Sequence, residues 1–166
     1  MTTTDPALAA LIERQEIVDL LYAFARALDE KNWAGYADLY ADDGVLVLPW
    51  GTTVPKAELA ADTEHNLGRF ARTHHMSTNH QVQLADDTAT SRSYLQAVHV
   101  PADGTEHWVT GGWYDCEYRR VGGSWRFTRV VLSMVGETGT APAFWARPDA
   151  GIVFRLASHC GCHMRP

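Results

Sequence analysis

The chain has 166 residues, a length typical of one domain that buries its own core, and 46% of them are hydrophobic. Its formal net charge of −6 and the lack of any basic run argue against nucleic acid or an anionic membrane as a partner. No apolar run is long enough for a membrane span or a signal peptide, and three cysteines do not make a disulfide framework. We therefore expect a cytoplasmic protein that binds a small molecule.

A first helix is predicted from Pro6 to Asp29, with Asp5 as its N-cap. Its apolar stripe continues into Asp29. A carboxylate at a helix C-terminus opposes the helix dipole, and one that faces the interior needs a hydrogen-bonding or cationic partner. Alternatively, the helix ends by Leu28 and Asp29 begins a polar loop.

The other predicted elements follow in the order of helices first and strands afterwards. They are a short helix from Asn32 through Tyr40 that ends at 41–44, a short strand over 45–48, a third helix from Pro55 through about Phe70, and four strands that turn at 86–87, 102–104 and 122–123. This order is typical of an α+β fold. We expect a cone-shaped, curved, mostly antiparallel sheet with three N-terminal helices packed on it, bent or bulged at Gly111–Gly112.

The first long strand contains the best candidate partner for Asp29, which is His75. Strict alternation puts one row, His75, Ser77, Asn79 and Gln81, on one face and the other row, His74, Met76, Thr78, His80 and Val82, on the opposite face. Burial of the second, more apolar row would leave His75 in solvent. The next strand favours a cavity instead, because it carries a row of mostly small side chains, Ala89, Ser91, Ser93, Leu95 and Ala97, that ends at His99.

An imidazole beside a carboxylate is a suitable general base, since the carboxylate fixes the tautomer and stabilises the imidazolium. We predict that His75 removes a proton next to a carbonyl while Asp29 orients the ring. A second group must protonate the leaving oxygen or stabilise the developing anion, and His99 is the first candidate, with Asn79 and Tyr94 as alternatives. His99 could instead be a solvent-exposed residue at the end of its strand.

Several stretches resemble the SnoaL-like branch of the nuclear transport factor 2-like superfamily. These stretches are 22–33, 73–79, 111–120 and 123–127, and the resemblance spans residues 8–135. It is strongest to scytalone dehydratase and hexachlorocyclohexane dehydrochlorinase, lyases in which an aspartate at the end of the first helix orients a histidine on the first long strand. The matching residues here are Asp29 and His75, while His99 matches a second active-site histidine of the dehydratase.

The resemblance implies a single domain over 1–166 with a core at 8–135 and a C-terminal segment, 136–166, that forms a lid or an oligomer contact in a dimer or trimer. It implies a cofactor-free lyase of the dehydratase type, acting on a small cyclic or polyketide-like substrate in a hydrophobic cavity. An isomerase or polyketide cyclase that uses the same base, and a noncatalytic binding protein, are the alternatives because the superfamily contains all of these.

Two positions differ from these relatives. Scytalone dehydratase has a tyrosine immediately before the aspartate, where this chain has Leu28, and the related bile acid dehydratase has one five residues before it, where this chain has Phe24. Neither Leu28 nor Phe24 can donate a proton. Tyr22, Tyr94 and Tyr114 are candidate replacements. We expect the substrate to contact a mostly apolar set of residues, Tyr22, Phe24, Asn79, Tyr94, Leu95 and Trp113, and we expect Trp113 to be buried beside the core residues Trp125 and Phe127.

The C-terminal segment carries two further features. His159-Cys160-Gly161-Cys162-His163 resembles a metal ligand set, but one residue between the cysteines is fewer than zinc sites use, so no metal is expected. The apolar residues upstream of it, Phe144, Trp145, Ile152, Val153 and Phe154, are candidates for the lid or the oligomer contact.

Overall fold

The computed structural model describes residues 5–142. In chain order the elements are α1 (Pro6–Asp29), α2 (Trp33–Ala37), β1 (Tyr40–Val47), β2 (Thr53–Pro55), α3 (Lys56–Leu67), β3 (Phe70–Ala85), β4 (Thr88–Pro101), β5 (Trp108–Val121) and β6 (Ser124–Thr138). The α+β class, the three helices and the four long strands with their turns are confirmed. The predicted lid residues Phe144, Trp145, Ile152, Val153 and Phe154, and the His159–His163 motif, lie outside the described residues.

The sheet has six strands in the order β2-β1-β6-β5-β4-β3. All neighbouring pairs are antiparallel except β1 and β6, which run parallel. The register of β5 against β6 shifts between Gly111 and Gly112, as predicted. Gly112 is required there because a Cβ atom would lie 1.9 Å from the carbonyl oxygen of Ser133. Among residues 5–142, no helix is long and apolar enough to cross a membrane.

The predicted second helix is longer than the observed one. Helix α2 ends at Ala37, and the chain enters β1 at Tyr40, which lies opposite Phe127 of β6. Both rings are almost fully buried, so their packing outweighs continuation of the helix. The third helix also ends earlier than expected, because Phe70 is buried as the first residue of β3.

Helix α1 packs its apolar stripe on the concave face of the sheet. Asp5 caps it by accepting a hydrogen bond from the backbone N–H of Ala7 at 2.9 Å. The buried residues of the stripe are Ile17, Leu21, Phe24, Ala27 and Leu28. The ring of Phe24 makes edge contacts with Tyr36, Tyr114 and Phe127, at centroid distances of 5.0–5.6 Å. This aromatic cluster forms part of the buried hydrophobic core.

Strand β3 does not alternate strictly as predicted, because it bulges at Asn79. Asn79 adopts a left-handed backbone conformation (φ 53°), and the register against β4 shifts between Thr78 and Gln81. Before the bulge the inward residues are Thr73, His75 and Ser77, and after it they are His80, Val82 and Leu84. The bulge thus turns Asn79 and Gln81 to solvent and brings His80 to the helix side.

Candidate active site

The carboxylate of Asp29 lies at the C-terminus of α1 and is bound by two residues of β3. His75 contacts it twice: Nδ1 lies 2.7 Å from Oδ1, and the backbone N–H donates to Oδ2 at 2.9 Å. The hydroxyl of Thr73 donates to Oδ1 at 2.9 Å. These bonds supply the partners that an inward-facing carboxylate requires, and helix α1 does extend to Asp29. Thr73 was missed from the sequence, although its spacing from His75 puts both on one strand face.

These contacts fix the ionisation of Asp29 and the tautomer of His75. Burial raises the pKa of Asp29, but the hydrogen bonds from the His75 side chain and backbone lower it, and the net effect is a lowered pKa. Asp29 is therefore ionised at neutral pH and accepts a hydrogen bond from the Nδ1–H of His75. The lone pair of His75 consequently lies on Nε2, on a side chain that is only 6% exposed.

His99 lies on β4 with its ring 5.7 Å from that of His75, almost perpendicular to it. Its Nδ1 lies 3.1 Å from the carbonyl oxygen of Trp108, which can only accept, so Nδ1 carries the proton and Nε2 is an acceptor. Burial is the main cause that lowers the pKa of His99 to about 4, and the electrostatic effect of the nearby His75 ring adds to it. His99 is thus neutral at neutral pH. This differs from the hypothesis that His99 donates a proton to a leaving group.

A cavity opens between the helices and the concave face of the sheet. Its accessible volume is about 80 Å³, and the residues that line it are Phe24, Leu28, Tyr36, Leu46, Leu48, Asp62, Thr63, Asn66, Leu67, His75, Leu95, Ala97, His99, Trp108, Thr110, Tyr114, Leu132 and Met134. Of the residues predicted from the sequence, Phe24, Leu95, His75 and His99 line it, and Asp29 lies behind His75. Its wall is mostly apolar, which suits the apolar part of a small ligand.

The structure puts the other predicted substrate contacts away from this cavity. Tyr22 is 52% exposed and contacts the ring of His80, because it lies off the buried stripe of α1. Tyr94 and Trp113 alternate with cavity residues along their strands and therefore face the opposite side of the sheet, where Arg92 covers the Trp113 ring. Asn79 is turned outward by the bulge.

Hydrogen-bond donors in the cavity come from Tyr114, Tyr36, Thr63 and Thr110. The Tyr114 hydroxyl has no hydrogen-bond partner among the residues that the structure describes, and burial raises its pKa well above 10, so it keeps its proton. The Tyr36 hydroxyl pairs with that of Tyr40 at 3.1 Å. Thr110 could have been found by its alternation with Tyr114 on β5, whereas Tyr36 and the residues of α3 reach the cavity through tertiary packing that no local pattern reveals.

No metal site is apparent in the part of the chain that the structure describes. Within residues 5–142 there is no group of three or more His, Cys, Asp and Glu side chains that could hold a metal ion. The Nδ1 atoms of His75 and His99 are both engaged, by Asp29 and by Trp108, and this leaves one free nitrogen on each ring.

Comparison with solved structures shows the same fold in proteins of several names. A candidate scytalone dehydratase from Novosphingobium aromaticivorans has a TM-score of 0.75 at 20% identity, over 80% of this chain and 91% of that one. A candidate aromatic ring hydroxylase from the same organism has a TM-score of 0.72 at 27% identity, over 78% and 94%. Hexachlorocyclohexane dehydrochlorinase from Novosphingobium barchaimii has a TM-score of 0.71 at 22% identity, over 81% and 94%.

No protein with a curated description matches the sequence significantly. The model of the SnoaL-like domain, however, matches residues 9–131, well over half of the chain. This match spans the helix that carries Asp29 and the strands that carry His75 and His99. The chain therefore belongs to the SnoaL-like domain family, within the nuclear transport factor 2-like superfamily.

Proposed function

We propose that the protein is a cofactor-free lyase of the dehydratase type, which removes water from a small cyclic or polyketide-like hydroxyketone. The observation that carries this proposal is the 2.7 Å contact between His75 Nδ1 and Asp29, at the wall of an apolar cavity. It leaves Nε2 of His75 as a base in the wall of a mostly apolar cavity. The dehydratase and dehydrochlorinase names of structural neighbours support an elimination.

In the proposed reaction, Nε2 of His75 takes a proton from the carbon next to the substrate carbonyl. The electron pair of that C–H bond forms the new double bond, and the bond between the β-carbon and the leaving hydroxyl breaks. Asp29 stabilises the imidazolium. The hydroxyl of Tyr114 can donate a hydrogen bond to the carbonyl oxygen, on which negative charge develops.

The leaving hydroxyl then needs a proton to depart as water. Among the described residues that line the cavity, neutral His99 presents an acceptor and Tyr114 holds its proton tightly, so neither suits this step. The imidazolium of His75 is the strong acid that the first step creates. His75 therefore acts as base and then as acid, which places the abstracted proton and the leaving group on the same face of the substrate and makes the elimination syn.

Two readouts on one set of probes test this function. A series of one-ring and two-ring β-hydroxyketones is incubated with the protein in D₂O; NMR follows exchange of the proton next to the carbonyl, and mass spectrometry follows loss of water. We expect both, and we expect His75→Ala to lower the rates of both by about 10² to 10⁴. His74→Ala is the matched control, because His74 is adjacent but exposed on the other face of β3.

The other functions give different results. Exchange without loss of water would contradict the lyase and support an isomerase or cyclase that uses the same base. Binding of the probes with no exchange above the buffer rate would contradict both enzymes and support a binding protein. Exchange in His75→Ala at the wild-type rate would show that another group is the base.

A further inference from the structure

We propose that Asp62 and Asn66 of α3 form a second polar anchor in the cavity, which binds a hydroxyl group at the end of the substrate remote from His75. The inference rests on the proposed function, since it specifies the substrate of the same cavity. It narrows that substrate to an uncharged ring compound with a hydroxyl group in addition to the one that leaves.

The position of α3 separates this anchor from the histidines. Helix α3 packs on α2, β1 and β2, at the edge of the sheet opposite β3. His75 and His99 lie on β3 and β4, at the other edge. Asp62 and Asn66 nevertheless line the same cavity, so a ligand that fills it meets polar groups at both ends.

Asp62 retains acceptor capacity within the cavity. The two residues are one helical turn apart, and Nδ2 of Asn66 donates to Oδ2 of Asp62 at 3.1 Å. No hydrogen bond to Oδ1 occurs from any residue that the structure describes. The nearby cavity lining is apolar and includes Leu46, Leu48 and Leu67. Asp62 is partly exposed, so water can donate to this oxygen when the cavity holds no ligand, and a ligand hydroxyl would replace that water as the donor.

The charges of the cavity select the kind of donor. No Lys or Arg occurs among the lining residues that the structure describes, so a carboxylate or phosphate on the ligand would lack a counter-ion and would be repelled by Asp62. His75 Nε2, His99 Nε2 and Asp62 Oδ1 are all acceptors. A neutral ligand with several hydroxyl groups satisfies them, with the leaving hydroxyl near the histidines and another hydroxyl at Asp62.

Equilibrium binding tests this anchor without requiring turnover. The probes are β-tetralone derivatives with a hydroxyl group on the aromatic ring, each paired with its methoxy analogue, which has no donor. Binding is measured by calorimetry and by quenching of tryptophan fluorescence, since Trp108 lines the cavity. We expect the wild type to prefer the best hydroxylated probe over its methoxy analogue by about tenfold or more, as a hydrogen bond to a charged acceptor provides.

Two substitutions at Asp62 should reduce the preference for the hydroxylated probe to different extents. Asp62→Asn keeps an acceptor without charge and should reduce the preference several-fold, while Asp62→Leu removes the acceptor and should abolish it. Glu64→Gln is the matched control, because Glu64 is on the same helix but exposed to solvent, and it should keep the wild-type preference. His75→Ala should also keep it, since His75 lies at the other end of the cavity. Thermal unfolding of each variant verifies that it is folded.

Three results would overturn the anchor. One is a hydroxyl preference that persists in folded Asp62→Leu. Another is tighter binding of an amino-substituted probe than of the hydroxylated one, which would make Asp62 a site for a cation. The third is tighter binding of a carboxylated probe. Any of these can occur while proton exchange by His75 is intact, so failure of the anchor is distinguishable from failure of the lyase.

Discussion

Asp29 holds His75 at two points, the ring Nδ1 at 2.7 Å and the backbone N–H at 2.9 Å, with one carboxylate oxygen for each. The backbone bond ties the strand to the end of the helix, and the ring bond orients the imidazole. Loss of the carboxylate therefore affects the position of the base as well as its basicity.

The first prediction treats these two residues as a unit. His75→Ala should lower the rate of proton exchange by about 10² to 10⁴, the usual range for a positioned general base. Asp29→Asn should lower it less, and the double variant should be little worse than His75→Ala, because an orienting group contributes little without its base. Losses that multiply fully would mean that Asp29 acts independently of His75, for example on the substrate itself.

The second prediction concerns the Tyr114 hydroxyl. Tyr114→Phe should lower the exchange rate about 10-fold to 100-fold, because a hydrogen bond to the developing anion is lost, and should leave stability nearly unchanged. Tyr118→Phe provides the opposite control, since its hydroxyl bonds to the Ser91 hydroxyl at 2.7 Å and Tyr118 is absent from the cavity lining. Tyr118→Phe should lower the free energy of unfolding and leave the exchange rate unchanged. Steady-state kinetics and urea unfolding of both variants separate the two effects, and an unchanged rate in Tyr114→Phe would remove Tyr114 from the mechanism.

The third prediction is a pH dependence of stability that originates at His99. The pKa of His99 is about 4 in the folded protein, below its ordinary value of 6.5. Between these two pH values His99 is therefore protonated in the unfolded chain but not in the folded one. Stability should consequently fall as the pH drops from 6.5 towards 4, by up to about 3 kcal/mol.

His99→Asn isolates this contribution, because an asparagine amide can still donate to the Trp108 carbonyl but does not titrate. Urea unfolding across this range should show a shallower pH dependence in the variant than in the wild type. His80, whose pKa is also lowered by burial, contributes equally to both curves. Parallel curves for the two proteins would mean that folding does not change the pKa of His99.

The fourth prediction concerns the bulge in β3. Asn79→Val should lower the free energy of unfolding by about 1 to 2 kcal/mol, because a β-branched residue tolerates a left-handed backbone poorly. Asn79→Gly should leave it nearly unchanged. Thr78→Val, at an exposed neighbouring position, is the control and should be neutral. Equal effects of valine at both positions would argue that the bulge is not strained.

The sequence predicted the fold well because its signals are local. Pro6 after Asp5 marks the start of α1, and paired glycines or aspartates mark the turns between long strands. The predicted end of α2 was wrong because it depends on the burial of Tyr40 against Phe127, a tertiary contact that local sequence does not reveal. The fate of Asn79 was also missed: an asparagine tolerates both extended and left-handed backbone, so its presence in a strand pattern does not by itself predict a bulge.

The candidate site was predicted in part for similar reasons. Alternation along β4 correctly predicted that Leu95 faces inward. The same alternation puts its neighbour Tyr94 on the opposite face, so Tyr94 should not have been predicted as a substrate contact. The hydrogen bond between Asp29 and His75 was expected from a polar residue on an apolar stripe and from the family resemblance. The tautomer of His99 depends on the carbonyl of Trp108, a backbone atom of another strand, which a sequence cannot reveal.

At Asn79 the alternation of inward and outward side chains along β3 shifts by one residue, so odd-numbered residues face inward before the bulge and even-numbered residues face inward after it. Deletion of one residue at the bulge would restore uniform alternation, and then either His75 or the row of His80, Val82 and Leu84 would have to turn to solvent. The first result removes the base, and the second disrupts the surface on which α1 packs. The number of residues between His75 and His80 is therefore constrained as tightly as their identities, and sequences of this kind should accept substitutions here far more readily than single-residue deletions.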